Sequence, residues 1–161
     1  SYRFAALFIY LTKAGFRGLW RVNKEGNHNV PWGNYPYIST PTVSDIDKFR
    51  SAIYWADLTS VDFLEVPLVR DTFAFIDPPY YDTFNAYTET PFTDDRQREL
   101  AAYLYEADRA GAKWLMTQSN HPWIRKTYQK FSITEIDINR GMDATRTGSG
   151  KVTELVIRNY V

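Results

Sequence analysis

Three observations in this 161-residue chain predict an α/β fold. Strand-like and helix-like segments follow one another in near alternation. The apolar run FAFI breaks at Asp77-Pro78-Pro79, and a helical pattern over residues 94–110 leads through Gly111 straight into a second strand-like run, 113–117. The length suits one domain with a real core and is too short for two substantial ones.

Taken in order, residues 2–14 carry Phe4, Leu7, Phe8, Ile9 and Leu11 around most of the circumference and read as a buried helix closed by Gly15. Residues 17–41 turn to Gly, Asn, Pro and aromatics, an irregular stretch of the kind that carries function. Ser44 and Asp47 form an S-x-x-D capping pattern for a short helix through Arg50. Residues 52–55 and 72–76 read as strands, and the second must stop at Pro78-Pro79 because proline has no ladder donor. Leu100, Ala101, Leu104 and Ala107 share a helical stripe, with Thr93 as N-cap and Gly111 beyond the end. A short helix from Pro122 to Lys130 precedes strands at 132–139 and 152–160, joined by the flexible loop GMDATRTGSG.

Aromatic residues are abundant, at 17% of the chain, and serve either a core or the stacking of planar ligands. With 19 basic and 19 acidic side chains, any polyanion site must be a local patch. The absence of cysteine excludes disulfides, thiol catalysis and cysteine-held metals. No apolar run is long enough for a membrane span, and the start does not resemble a signal peptide, so a soluble, cytoplasmic protein is expected.

The strongest chemical signal is FAFIDPPYY, in which an apolar strand delivers an acid, two prolines and two tyrosines to the carboxyl end of a sheet, where α/β proteins bind ligands. An exocyclic adenine amine is a poor nucleophile because its lone pair is delocalised into the ring. Acceptors aimed at its two N–H bonds, the Asp77 carboxylate and the Pro78 carbonyl, favour a pyramidal nitrogen able to attack a methyl sulfonium in line. Pro79 constrains the backbone, and Tyr80 suits stacking on a base extruded from a duplex. Taken as a bare tetrapeptide, Asp-Pro-Pro-Tyr reads equally as a strand-terminating turn.

A second constellation spans residues 16–35, FRGLWRVNKEGNHNVPWGNY, where Arg17, Arg21 and Lys24 lie among aromatics. Basic and aromatic residues together suit a surface that meets phosphates and bases. Arg21 has the two-pronged donor set that pairs with a guanine edge, and Leu19 and Pro31 suit contact with a thymine methyl. Composition alone also allows a compact polar loop with buried aromatics.

Together these segments resemble Dam-like adenine DNA methyltransferases of the D12 class, alpha group. FRGLWRVN and GNHNVPWGNY are similar to the NGLxRxNxxGxFNVPFGxY recognition region, and FIDPPYY with FNAYTETPFT is similar to the catalytic motif and the loop behind it. TQSN with Tyr128, TELVIRNY and the opening FAALFIYLTKAGF match further family segments in the same order, so the resemblance covers essentially the whole chain. It implies an S-adenosylmethionine-dependent, incomplete Rossmann-like fold with an inserted DNA-recognition segment. Residues 1–50 would hold the opening helix and target recognition, and 51–161 the catalytic α/β portion. Asp77, Pro78, Pro79 and Tyr80 would bind and activate adenine. Phe16, Arg17, Leu19, Arg21, Asn23, Asn29, Pro31 and Tyr35 would meet double-stranded DNA at a GATC-like target, although Arg17 and Asn34 depart from the usual residues. Asp57 and Leu58, with Asp77, would contact S-adenosylmethionine, their WADL stretch corresponding to the family's CxDF-like segment.

The family's lysine-containing donor motif and Gly-rich FxGxG turn have no counterpart here. The chain is therefore expected to be a fragment, with unpaired edges at the strands before Asp57 and Asp77. The alternatives are a DNA-binding or regulatory protein, or one piece of a split enzyme. No metal site is expected, because His28 and His121 lack spaced partners. Glu89, Asp94 and Asp95 suit a hydrolytic acid pair less well than helix-start carboxylates, and Gly148 to Gly150 lacks phosphate-loop spacing.

Overall fold

The computed structural model describes residues 1–82, 92–140 and 150–160, and the chain divides into two compact units, Ser1–Thr59 and Ser60–Val161. The expected glycine-rich loop at 141–149, Glu89 and most of the FNAYTETPFT segment lie outside the described residues.

In the first unit, α1 (Tyr2–Ala14) runs into a 3-10 turn at Phe16–Gly18. The predicted helix is present, but its expected burial is not: Phe4 is 66% exposed and Ala14 is its one buried residue. Apolar content does not by itself provide a cover, and the unit supplies no second layer around the helix. Phe8 meets Trp20 with ring centroids 4.5 Å apart and the planes tilted by 50°, and the His28 ring lies 4.8 Å from Trp20. The irregular segment is held by isolated antiparallel bridges, Gly15 with Trp32 and Val22 with His28.

Helix α2 (Val43–Ala52) starts two residues earlier than expected. Its capping box is Thr42 with Asp45, not Ser44 with Asp47. Thr42 Oγ1 accepts from the Asp45 amide, and the Asp45 carboxylate accepts from the Thr42 amide at 2.9 Å, both within a T-x-x-D spacing that follows Pro41. The Thr42 amide, and after it the Thr42 hydroxyl, which also donates to the carboxylate, hold the Asp45 carboxyl below its ordinary pKa. The strand expected at 52–55 is absent: Ala52 ends the helix, and Ile53 continues its bonding by donating to Phe49. Four apolar residues without a ladder partner fall into the preceding helix and its turn.

The second unit is built on a four-stranded sheet in the order β1 (Phe73–Ile76), β2 (Lys113–Ser119), β4 (Gly150–Arg158), β3 (Ser132–Arg140). Strands β1 and β2 are parallel, joined through α3 (Asp94–Ala110); β4 is antiparallel to both β2 and β3. Helix α3 begins and ends as predicted: Thr93 accepts from the Arg96 amide, and Gly111 takes the left-handed conformation at φ 85°.

The α3 stripe of Leu100, Ala101, Leu104 and Ala107 packs with Trp114 and Met116 of β2, Leu155 and Ile157 of β4, and Ile124 and Tyr128 at and beyond α4 (Pro122–Thr127). Removing such side chains from water is the main stabilising contribution, about 1.5–3 kcal/mol for each large one. Trp114 also donates its indole N–H to the Leu104 carbonyl at 3.1 Å. Asn159 fastens the α3–β2 turn, accepting from the Trp114 amide and donating to Ala112 and Asp108.

Strand β1 lies at the sheet edge. Ala74 and Ile76 face the core, whereas Phe73 and Phe75 are 60% and 64% exposed. Among the described residues, no helix is long and apolar enough to cross a membrane.

Candidate functional site

Asp77 follows the last residue of β1, next to β2 in the parallel register that pairs Ile76 with Met116. The Thr117 hydroxyl donates to Asp77 Oδ1 at 2.6 Å, and among the described residues Oδ2 has no protein partner. The Pro78 carbonyl is likewise open, because β1 ends before it and nothing described donates to it. Two acceptors thus follow one another in the chain where β1 ends.

Behind them the backbone is held at several points. Gln97 of α3 donates its Nε2 to the Pro79 carbonyl at 2.8 Å. Gln118 of β2 accepts the Tyr81 amide at 2.7 Å and the Ser119 amide at 2.9 Å, and the Ser119 hydroxyl donates to the Tyr81 carbonyl. The Tyr80 hydroxyl donates to Glu154 Oε2 at 2.9 Å, so its ring is tethered at the tip to β4. Burial raises the Tyr80 pKa; the Thr117 hydroxyl opposes this, and the Glu154 and Asp77 carboxylates reinforce it. The phenol is therefore neutral and able to donate.

Tyr81 points into a separate aromatic group, stacked within 9° of the Trp123 plane and 4.7 Å from the His121 ring. His121 itself caps α4 by accepting from the Trp123 amide. Asp94 sits in the first turn of α3, where it accepts the Tyr81 hydroxyl at 3.5 Å.

An apolar cleft of about 340 Å³ adjoins the site, walled by Phe63, Leu68, Phe75, Ile76 and Tyr103, with Asp77 as its charged residue. Gln97, Thr117, Gln118 and Glu154 were not singled out by sequence reasoning as parts of this site. For Gln97 and Gln118 the signal is a polar residue at a position whose periodicity is otherwise apolar. Gln97 continues the buried stripe of α3, and Gln118 follows Trp114 and Met116 along the buried face of β2.

The candidate recognition residues lie in the first unit, where the chain brings most of them together. Arg21 donates Nε to Asn29 Oδ1 at 2.9 Å and Nη2 to the Asn29 carbonyl at 3.1 Å. Phe16 donates its amide to the Pro31 carbonyl, and Leu19 closes the 3-10 turn onto Phe16. Arg17 has φ 57°, its amide bonded to the Tyr35 hydroxyl and its guanidinium over the Phe16 ring. Gly33 admits the Tyr35 ring, since a Cβ there would come within 2.1 Å of it. Asn23 is committed differently: its side-chain oxygen accepts the Glu25 and Asn27 amides and so builds the 23–27 turn. Asp57 and Leu58 stand exposed beyond the turn that ends α2.

A carboxylate and a carbonyl at the carboxyl end of β1 in a mixed α/β sheet, in the setting Asp-Pro-Pro-Tyr, are the features that the sequence resemblance attaches to amino-group methyltransferases. Residues 1–142 match the D12 class N6 adenine-specific DNA methyltransferases, and the chain belongs to that family. It is 33% identical over 157 residues to the Retron Ec67 DNA adenine methylase of Escherichia coli, covering 94% of this chain and 54% of that protein. It is 32% identical to the type II methyltransferase M.MjaIII of Methanocaldococcus jannaschii, covering 96% of this chain and 57% of the relative. With M1.LlaDCHI of Lactococcus lactis the identity is 28%, over 97% of this chain and 58% of the relative. The chain thus spans little more than half the length of these curated relatives.

Proposed function

We propose that this chain supplies the acceptor half of a site-specific DNA adenine N6-methyltransferase that uses S-adenosylmethionine and reads a GATC-like site. The observation that carries the reading is the pair of open acceptors, Asp77 Oδ2 and the Pro78 carbonyl, beside a tethered Tyr80.

In this reading the extruded adenine stacks on Tyr80 while its N6 hydrogens bond to the two acceptors. Electron density is drawn from the ring onto N6, which forms the new N–C bond as the methyl–sulfur bond breaks. The sulfur keeps that electron pair, and the extra N6 proton leaves to the Asp77 carboxylate and then to water. Bound S-adenosylmethionine supplies an electrophilic methyl group on a sulfonium. Asp77 is a suitable counter-charge for it at the rim of an apolar cleft. We assign Asp57 and Leu58 to the donor's adenine end. Pro79 keeps the acceptor backbone from carrying a competing donor.

Residues 1–50 serve target recognition in this account, as an insertion in the catalytic portion's fold, which completes a Rossmann-like sheet only with donor-binding strands beside β1. Phe16, Leu19, Pro31 and Tyr35 meet bases or the stack, Arg17 and Asn29 flank them, and Asn23 shapes the turn. Arg21 has five N–H donors and spends two on Asn29, leaving a fork for a guanine edge.

The test is methyl transfer from labelled S-adenosylmethionine to GATC and scrambled duplexes, by the chain alone and with the donor-binding half of a relative supplied in trans. Transfer is expected on complementation, preferentially at GATC, and Asp77→Ala is expected to abolish it. Turnover that survives Asp77→Ala overturns the role of the carboxylate, and absence of any adenine methylation overturns the reading. Arg21→Ala is expected to lose about 1–3 kcal/mol of discrimination at one guanine.

A further inference from the structure

We infer that Gln97 and Gln118 are positioning residues for catalysis, an amide pair that sets the acceptor loop from behind; this rests on the methyltransferase reading above. Both side chains are almost fully buried, at 2% and 0% exposure. A buried carboxamide is expensive unless bonded, and a short apolar side chain in either place would pack against the same core at lower cost.

What the two amides hold is specific. The Gln97 Nε2 donates to the Pro79 carbonyl, and the Gln118 Oε1 accepts from the Tyr81 amide, so the backbone is gripped on both sides of Tyr80. Gln118 Nε2 faces Gln97 Oε1 at 3.4 Å, linking the two grips into one chain from α3 to β2. Neither amide reaches the open atoms of Asp77 or the Pro78 carbonyl. Their effect passes through the peptide units that follow, which fix where the Pro78 carbonyl points and where the Tyr80 ring lies. A misplacement of about 1 Å at a reacting centre costs on the order of a hundredfold in rate, so a loosened loop is felt in turnover.

The test uses whichever form of the protein transfers methyl groups in the assay above. Gln97→Met keeps the volume and removes the donor. It is expected to lower kcat about ten- to hundredfold while KM for the duplex stays within about threefold. Gln97→Glu regains a donor only when its buried carboxyl is protonated, so its kcat is expected to recover as pH falls, relative to wild type. Gln118→Met is expected to speed hydrogen exchange at the Tyr81 amide, which can be read on the isolated chain whether or not it turns over. Wild-type kcat in Gln97→Met, with a flat ratio for Gln97→Glu, overturns the catalytic role. Unchanged Tyr81 exchange in Gln118→Met overturns the grip itself. A wild type that never methylates adenine overturns the underlying reading, an outcome distinct from either.

Discussion

The Thr117 hydroxyl donates to Asp77 Oδ1 across the β1–β2 neighbours at 2.6 Å, and among the described residues the second carboxylate oxygen has no partner. A hydrogen bond to a charged group contributes about 1.5–3 kcal/mol, and here it also selects which oxygen faces outward. Thr117→Val keeps the shape and removes the donor. Under the proposed reading kcat falls roughly ten- to hundredfold, and Thr117→Ser restores most of it. Equal turnover in Thr117→Val and wild type would show that Asp77 needs no such partner.

Arg21 is aimed by Asn29, which takes two of its donors through both side chain and backbone. Asn29→Ala removes the side-chain half of that grip without touching the guanidinium. We expect weaker discrimination at the guanine assigned to Arg21, smaller than for Arg21→Ala, and a double mutant no worse than Arg21→Ala alone. Additive losses in competition binding would mean that Asn29 contacts DNA independently.

Arg17 occupies the left-handed region at φ 57°, which a long side chain adopts at a cost of about 1–2 kcal/mol and asparagine tolerates better. Arg17→Asn is therefore expected to stabilise the chain by roughly 0.5–1 kcal/mol in denaturant titrations. If Arg17 meets a phosphate, as the recognition reading has it, the same substitution lowers the slope of log affinity against log salt by about 0.9. An unchanged slope removes Arg17 from the phosphate contacts.

Tyr128 is wholly buried, and among the described residues its hydroxyl has no hydrogen-bond partner. Burial pushes its pKa well above the ordinary tyrosine value, and burial also raises Tyr80 and Tyr103. With the folded pKa raised, the unfolded chain loses these protons first, so stability is level below pH of about 10 and falls as pH climbs past it. Tyr128→Phe deletes the unpaired hydroxyl and is expected to be neutral or up to about 1 kcal/mol more stable at neutral pH. It should also make the alkaline loss shallower. A Tyr128→Phe protein destabilised by more than about 1 kcal/mol would mean that the hydroxyl has a partner.

Much of this was legible in residue order. The stripe Leu100, Ala101, Leu104 and Ala107, framed by Thr93 and Gly111, specifies α3 because cap, period and terminator agree. Asp77-Pro78-Pro79 ends β1 because two prolines cannot continue a ladder. Local signals failed where two alternatives lay within a few residues. T-x-x-D and S-x-x-D patterns compete at the start of α2, and residues 52–55 had strand-like composition but no strand to pair with. The helix over Tyr2–Ala14 was correctly placed and wrongly buried, because periodicity records which residues are apolar and not what covers them.

The acceptor tetrapeptide and the basic, aromatic segment were visible as chemistry in the sequence, since both depend on residue types at short spacing. The partners of that chemistry were not. Gln97, Thr117, Gln118 and Glu154 come from α3, β2 and β4, elements 18 to 74 positions from the loop residues they hold. The parallel pairing of β1 with β2, the antiparallel pairing of β4 with β2, and the packing of α3 on that sheet bring them to the loop. Their role is tertiary for a physical reason: a hydrogen bond acts over about 3 Å in space and leaves no mark at a fixed interval along the chain.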